Sequence, residues 1–188
     1  FTGTIPDIIG SLTKLEYLQL NGNEFTSIPE SIGNLTILRT LVVSRNKLTG
    51  AIPESIGNLD SLRSLNLSYN DYSSTIPASI GGLDSLEYLN LSWNEITAIP
   101  ENISNLSNLK TLYLYNNQIT GTIPEYIGNL TKLEILGLSY NEFSGIPESI
   151  GNLTNLRSLY IYNNKLTGNI PESIGNLTSL RYLDLDDN

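Results

Sequence analysis

The 188-residue chain contains no cysteine, no histidine and no methionine. Without cysteine it has no disulfide framework and no thiolate nucleophile. Without histidine it lacks the side chain that most often serves as general acid or base near neutral pH. Positive charge is scarce as well. Ten basic residues against nineteen acidic ones leave a net charge of −9, which argues against nucleic acid or an anionic membrane as partner. No run of about 18 apolar residues occurs, so no segment is expected to cross a membrane as a helix. With hydrophobic residues at only 39% of the chain, a core must come from apolar positions that are few and regularly placed.

That regularity is a repeat. The stretch LRSLNLSYN at Leu62–Asn70 returns as LEYLNLSWN from Leu86, LKTLYLYNN from Leu109, LEILGLSYN from Leu133 and LRSLYIYNN from Leu156. Further copies begin at Leu15, Leu38 and Leu180, and successive starts lie 23 or 24 residues apart. We number the copies starting at Leu15, Leu38, Leu62, Leu86, Leu109, Leu133, Leu156 and Leu180 as rungs 1 to 8. Each full copy runs on through I-P into a segment such as ESIGNL. Residues 1–14 and 180–188 are partial repeats, so 1–188 is expected to be one array excerpted from a longer one. A period in this range marks a solenoid, whose units bury their apolar edges only against one another.

The first, fourth and sixth positions of each rung are Leu, Ile or Val and face that shared core. The ninth is always Asn: Asn23, Asn46, Asn70, Asn94, Asn117, Asn141, Asn164 and Asn188. Buried amides must be hydrogen-bonded, here to the turn backbones of adjacent rungs. The proline of I-P marks a bend, and the following E-S-I-G-N-L is short enough to suit a 3₁₀ turn.

The pattern L-x-x-L-x-L-x-x-N resembles the leucine-rich repeat, and L-T-G-x-I-P-E-x-I-G-N-L resembles its plant-type extracellular subclass. The resemblance covers the whole chain. It implies a right-handed solenoid of the α/β horseshoe class, with a parallel concave sheet and a convex side of 3₁₀ turns and loops. Two departures stand out. Three rungs lose one residue before I-P, as in NEFTSIPE, NEITAIPE and NEFSGIPE, and the paired cysteines that usually cap plant ectodomains are missing.

Strand geometry points the variable positions of each rung away from the core. They hold all the tyrosine and tryptophan residues except Tyr72, read as core packing, and Tyr126. Aromatics favour strands in any case, but tyrosine and tryptophan also supply rigid amphipathic contact area at low entropic cost. The candidate ligand-binding residues are therefore Tyr88, Trp93, Tyr113, Tyr115, Gly137, Tyr140, Tyr160, Tyr162 and Tyr182. Gly137, between Tyr113 and Tyr160 in the fifth position, is expected to leave a slot walled by two rings about 9.6 Å apart.

The charges fall into columns. In the second position, Glu16–Arg39, Glu87–Lys110 and Glu134–Arg157 are expected to pair between adjacent rungs, as are Glu24–Lys47 and Glu142–Lys165 just after the Asn. Asp7, Glu30, Glu54, Glu101, Glu125, Glu148 and Glu172 each follow a proline, where the orphan N–H groups of a helical turn favour a carboxylate. They are read as structural. Asp184, Asp186 and Asp187 cluster near the end of the sequence, and no metal site is assigned. N-x-S/T triplets make Asn34, Asn66, Asn90, Asn102, Asn105, Asn129, Asn152 and Asn176 candidate N-glycosylation sites. Asn66 and Asn90 fall in concave strands, where glycans would block the face.

Every carboxylate lies in a repeated column rather than in a unique convergent pocket, so no enzyme is expected and no cofactor is called for. The leading expectation is an extracellular or cell-surface recognition module that holds a protein, peptide or glycan on its aromatic concave face. A structural or adhesive surface array, associating with further copies of itself, is the first alternative. Ice binding is the second, through the hydroxyl column Thr2, Thr26, Thr49, Ser73, Thr97, Thr120, Ser144 and Thr167. Neither nucleic acid nor direct membrane insertion is expected.

Overall fold

The computed structural model describes residues 1–188. Eight three-residue strands form one parallel sheet in strict chain order: Tyr17–Gln19, Thr40–Val42, Ser64–Asn66, Tyr88–Asn90, Thr111–Tyr113, Ile135–Gly137, Ser158–Tyr160 and Tyr182–Asp184. Each is centred on the fourth-position leucine, and these leucines stand in register from Leu18 to Leu183. Eight five-residue 3₁₀ turns, from Asp7–Ser11 to Glu172–Asn176, line the opposite side, each entered from an extended proline. No α-helix forms. The expected solenoid, with a parallel concave sheet and 3₁₀ turns on the convex side, is what the chain adopts.

One continuous core of 44 buried apolar side chains runs the length of the stack. The asparagine ladder closes it along one edge. Asn46 Nδ2 donates to the carbonyls of Leu20 (3.0 Å) and Val43 (3.1 Å), and its Oδ1 accepts the Phe25 N–H (3.0 Å). The same three bonds recur at Asn70, Asn94, Asn117, Asn141 and Asn164, so each amide staples its rung to the preceding one.

The convex turns stack closely because of their glycines. A Cβ built on Gly57 would collide with the Ser79 backbone of the next turn, and Gly10, Gly33, Gly128 and Gly151 meet a serine in the same way. Two of the outer ladders carry a bulge, whose unpaired residue, Thr26 or Ser144, lies on the 23-residue rung. The ladders Thr2–Thr4 with Glu24–Ser27 and Thr120–Thr122 with Glu142–Gly145 shift register at Gly3/Thr4 and Gly121/Thr122. Gly3 and Gly121 take φ of +79° and +81° there, a conformation that costs glycine little.

All five expected ion pairs form, at N–O distances between 2.7 and 3.2 Å. A sixth, Arg63–Glu87 at 2.7 Å, makes Glu87 a bridge across three rungs. The carboxylates of Glu30 and Glu148 accept the N–H groups of Ser55 and Ser173, tying neighbouring 3₁₀ turns together.

Candidate ligand-binding face

The third, fifth and seventh positions of each rung look out from the concave sheet, and the eighth lies on its rim. The fifth-position column reads Gln19, Val42, Asn66, Asn90, Tyr113, Gly137, Tyr160, Asp184, so bulky rings are confined to the later rungs. The eighth-position column has a backbone signature of its own. Arg45, Tyr69, Trp93, Asn116, Tyr140, Asn163 and Asp187 all have φ between +50° and +58°, and Gly22 occupies the same place with φ +70°. Asparagine and glycine tolerate the left-handed region, whereas a bulky ring there is strained by about 1–2 kcal/mol. Tyr69, Trp93 and Tyr140 nevertheless hold it, each more than two-fifths exposed.

The rings are grouped. Tyr69 and Trp93 stack with centroids 5.1 Å apart, and the Arg45 guanidinium lies over the Tyr69 ring at 5.3 Å. Tyr88 meets Tyr113 edge-on at 6.0 Å, and Tyr113 stacks on Tyr115 at 5.0 Å. Tyr140 and Tyr162 meet edge-on at 5.2 Å. Burial, reinforced by neighbouring tyrosines, pushes the Tyr113 and Tyr115 hydroxyls above their ordinary pKa. Burial also raises Tyr162, with Tyr140 and Asp184 adding to the effect.

Between the second and third groups opens a cleft of about 380 Å³, lined by Trp93, Tyr115, Asn116, Tyr140, Tyr160, Tyr162 and Asp184. It gathers five of the nine residues expected from the sequence, with Tyr113 and Tyr88 behind Tyr115. Tyr182 stands apart on the last strand, 62% exposed. Asn116 and Asp184 are wall residues that the sequence reading missed. Their signal was the column each occupies, not their residue type.

The slot expected at Gly137 is closed. Gly137 does pair in register with Tyr113 and Tyr160, but it is buried, and a Cβ built on it would collide with Cε1, Cζ and the hydroxyl oxygen of Tyr115. Treating the columns as separate overlooked that a long aromatic side chain reaches its diagonal neighbour on the next strand. The open volume lies one column over, beyond Tyr115.

Two sequons also change character. Asn66 Oδ1 accepts from the Ser68 N–H and Oγ, and Asn90 bonds the Ser92 N–H and the Tyr88 hydroxyl. Ser68 and Ser92 are buried. The other six sequon asparagines are exposed on the convex turns. The hydroxyl column is staggered as well. Thr2 pairs with Glu24, Thr49 with Asp71 and Thr120 with Glu142, so these threonines have carboxylates rather than hydroxyls as register partners.

The sequence matches the family described as leucine-rich repeat region over residues 5–90 and 79–188. Among curated proteins none matches. Among solved structures, the chain is similar to the ectodomain of the Arabidopsis receptor kinase HAESA, determined in complex with an extended IDA peptide hormone. The identity is 40% and the TM-score 0.91, covering 100% of this chain and 32% of that one. A leucine-rich-repeat protein of Leptospira interrogans is 35% identical with a TM-score of 0.71, covering 99% of this chain and 52% of that one. A plant ice-binding protein is 30% identical with a TM-score of 0.79, covering 98% and 60%. The chain thus spans less than two thirds of each.

Proposed function

Since the chain belongs to the leucine-rich repeat family, in its plant-type form, we propose that it is a non-catalytic, extracellular recognition module binding a peptide or protein on its concave face. One observation carries the reading. Most of the aromatic surface not spent on the core is concentrated on one side of the sheet, between rungs 3 and 7, and part of it is held in strained left-handed backbone. Strain of that kind persists where the surrounding structure enforces it, and it gathers at binding sites. The likeness to a receptor ectodomain that holds a peptide hormone agrees with this.

The test is selection of a random peptide library on the 188-residue chain, followed by titration of the recovered peptides against Tyr160→Ala, Tyr113→Ala and the convex variant Asn152→Gln. The reading expects each tyrosine variant to weaken binding by about fivefold or more and Asn152→Gln to leave it unchanged. Peptides that ignore both tyrosines and respond to the convex change would overturn it. Concentration-dependent sedimentation without peptide binding would favour the adhesive array instead. Thermal hysteresis would favour ice binding, a reading weakened by the carboxylates that interleave the hydroxyl column.

A further inference from the structure

We infer that the cleft between rungs 4 and 8 is a cation site, built to take the guanidinium or ammonium of an arginine or lysine side chain on a peptide lying along the concave face. The inference rests on the proposed recognition role and adds the chemistry of its central contact.

The walls are Trp93 and Tyr115 on one side and Tyr140, Tyr160 and Tyr162 on the other, and Asp184 is the one charged residue among them. Aromatic faces attract cations through their quadrupoles, most strongly where water is partly excluded. A carboxylate at the same place fixes the sign of the ligand. Asp184 is half-buried and takes part in no ion pair. Its Oδ1 accepts only the Asp186 N–H, at 3.2 Å.

None of the ten basic residues lines the cleft. Six of them are committed to the ion-pair columns, Lys132 is bonded to Asn108, and Arg45 is stacked on Tyr69 two rungs before Tyr115. Lys14 and Arg181 do not line it either, so residues 1–188 bring rings and a carboxylate together and supply no cation there. The Arg45–Tyr69–Trp93 stack shows the same geometry already satisfied internally, with a guanidinium over a ring held in left-handed backbone. An anionic ligand would meet Asp184 and a net charge of −9.

The chain's single tryptophan stands in the cleft wall, so its emission reports on the site without a label. The experiment titrates the chain at fixed ionic strength with N-acetyl-argininamide, with the neutral isostere N-acetyl-citrullinamide, and with methyl β-glucoside. The inference expects a saturable change in Trp93 emission with the arginine compound and binding at least about tenfold weaker with the citrulline one. Asp184→Asn and Tyr162→Leu, each checked for native circular dichroism, should weaken the arginine response by about fivefold or more. Asp184→Asn, on a half-exposed side chain, keeps the test sound if Tyr162→Leu misfolds. Equal responses to arginine and citrulline compounds, no saturable response to arginine, or indifference to Asp184→Asn would each overturn the cation site. A response to the glucoside alone would replace the cation with a sugar and leave concave recognition standing. Peptides recovered by selection that bind the concave face without any basic residue would do the same for a neutral peptide.

Discussion

The ring of Tyr115, on rung 5, fills the space that a side chain at Gly137 of rung 6 would need. The glycine is therefore a seat for a tyrosine, and Tyr113, stacked 5.0 Å behind, completes the pile. Gly137→Ala should drive Tyr115 off this seat. Overpacking of this kind costs about 1–3 kcal/mol, and the displaced hydroxyl, now wetter, should titrate nearer the ordinary tyrosine range. Urea unfolding and an ultraviolet tyrosine titration of the variant check both effects. An unchanged midpoint together with an unchanged titration would show that the ring does not rest there.

Tyr72 presents a different problem. It takes the core position filled by Phe25 and Phe143 in other rungs, is 2% exposed, and its hydroxyl has no hydrogen-bond partner. An unpaired buried hydroxyl costs about 1–3 kcal/mol, so Tyr72→Phe should stabilise the chain by about 1 kcal/mol. Burial also raises the Tyr72 pKa above its ordinary 10.0. Just above pH 10 the folded state thus keeps a proton that the unfolded state releases. Stability should be complete below about pH 10 and fall as pH rises beyond it. In Tyr72→Phe that alkaline fall should be shallower, as read from urea midpoints across the range.

Much of this was legible in the sequence, for identifiable reasons. Rung boundaries, the core leucines and the asparagine staples follow from strict periodicity, because each position sees the same surroundings in every rung. The pairs Glu16–Arg39 and Glu142–Lys165 needed only the column and the strand spacing. What escaped depends on side-chain reach and backbone hand. Tyr115 bends over Gly137, and Trp93 and Tyr140 stand in left-handed backbone. The first joins two columns that the repeat keeps apart; the second is common to the whole eighth-position column but is masked there by rings, which seldom take that conformation. Asp184 was read among the aspartates near the end of the sequence, whereas its place in the fifth-position column puts it in the cleft wall.

Glu87 gives an acid-side prediction. Its carboxylate accepts from Lys110 Nζ and Arg63 Nη1, both at 2.7 Å, with about a third of the side chain exposed. The Lys110 hydrogen bond leads in lowering its pKa below the ordinary 4.5; desolvation, the next largest effect, opposes it, and the Arg63 hydrogen bond adds to the lowering. A lowered folded pKa means that the contribution is present above the unfolded value and lost as pH falls through the folded one. Glu87→Gln should cost on the order of 1 kcal/mol near neutral pH, more than Glu24→Gln, which breaks a single pair. The difference should vanish near pH 2 and shrink in about 1 M salt. Chemical denaturation at the two pH values decides it.

The asparagine staples set how damage should spread. Asn117 Nδ2 bonds the carbonyls of Leu91 and Leu114, and its Oδ1 receives the Ile96 N–H, so one side chain makes two hydrogen bonds to rung 4 and one within rung 5. Replacing it with alanine leaves the Ile96 N–H buried and unpaired, at about 1–3 kcal/mol, while the Leu91 and Leu114 carbonyls still accept from the Asn94 and Asn141 side-chain amides. A solenoid couples only neighbours, so the loss should stay local. In the parent, hydrogen exchange should be slowest in rungs 4 and 5, where Leu89, Leu91, Leu112 and Leu114 are wholly buried. It should be fastest toward Phe1 and Asn188, where Ile8, Leu12 and Leu183 are 71%, 51% and 46% exposed. In Asn117→Ala the Ile96 amide, which loses its acceptor, should lose protection, while the amides of Leu41 and Leu159 keep theirs. Loss of protection shared equally along all eight rungs would mean that the stack opens as one unit, and the nearest-neighbour account would fail.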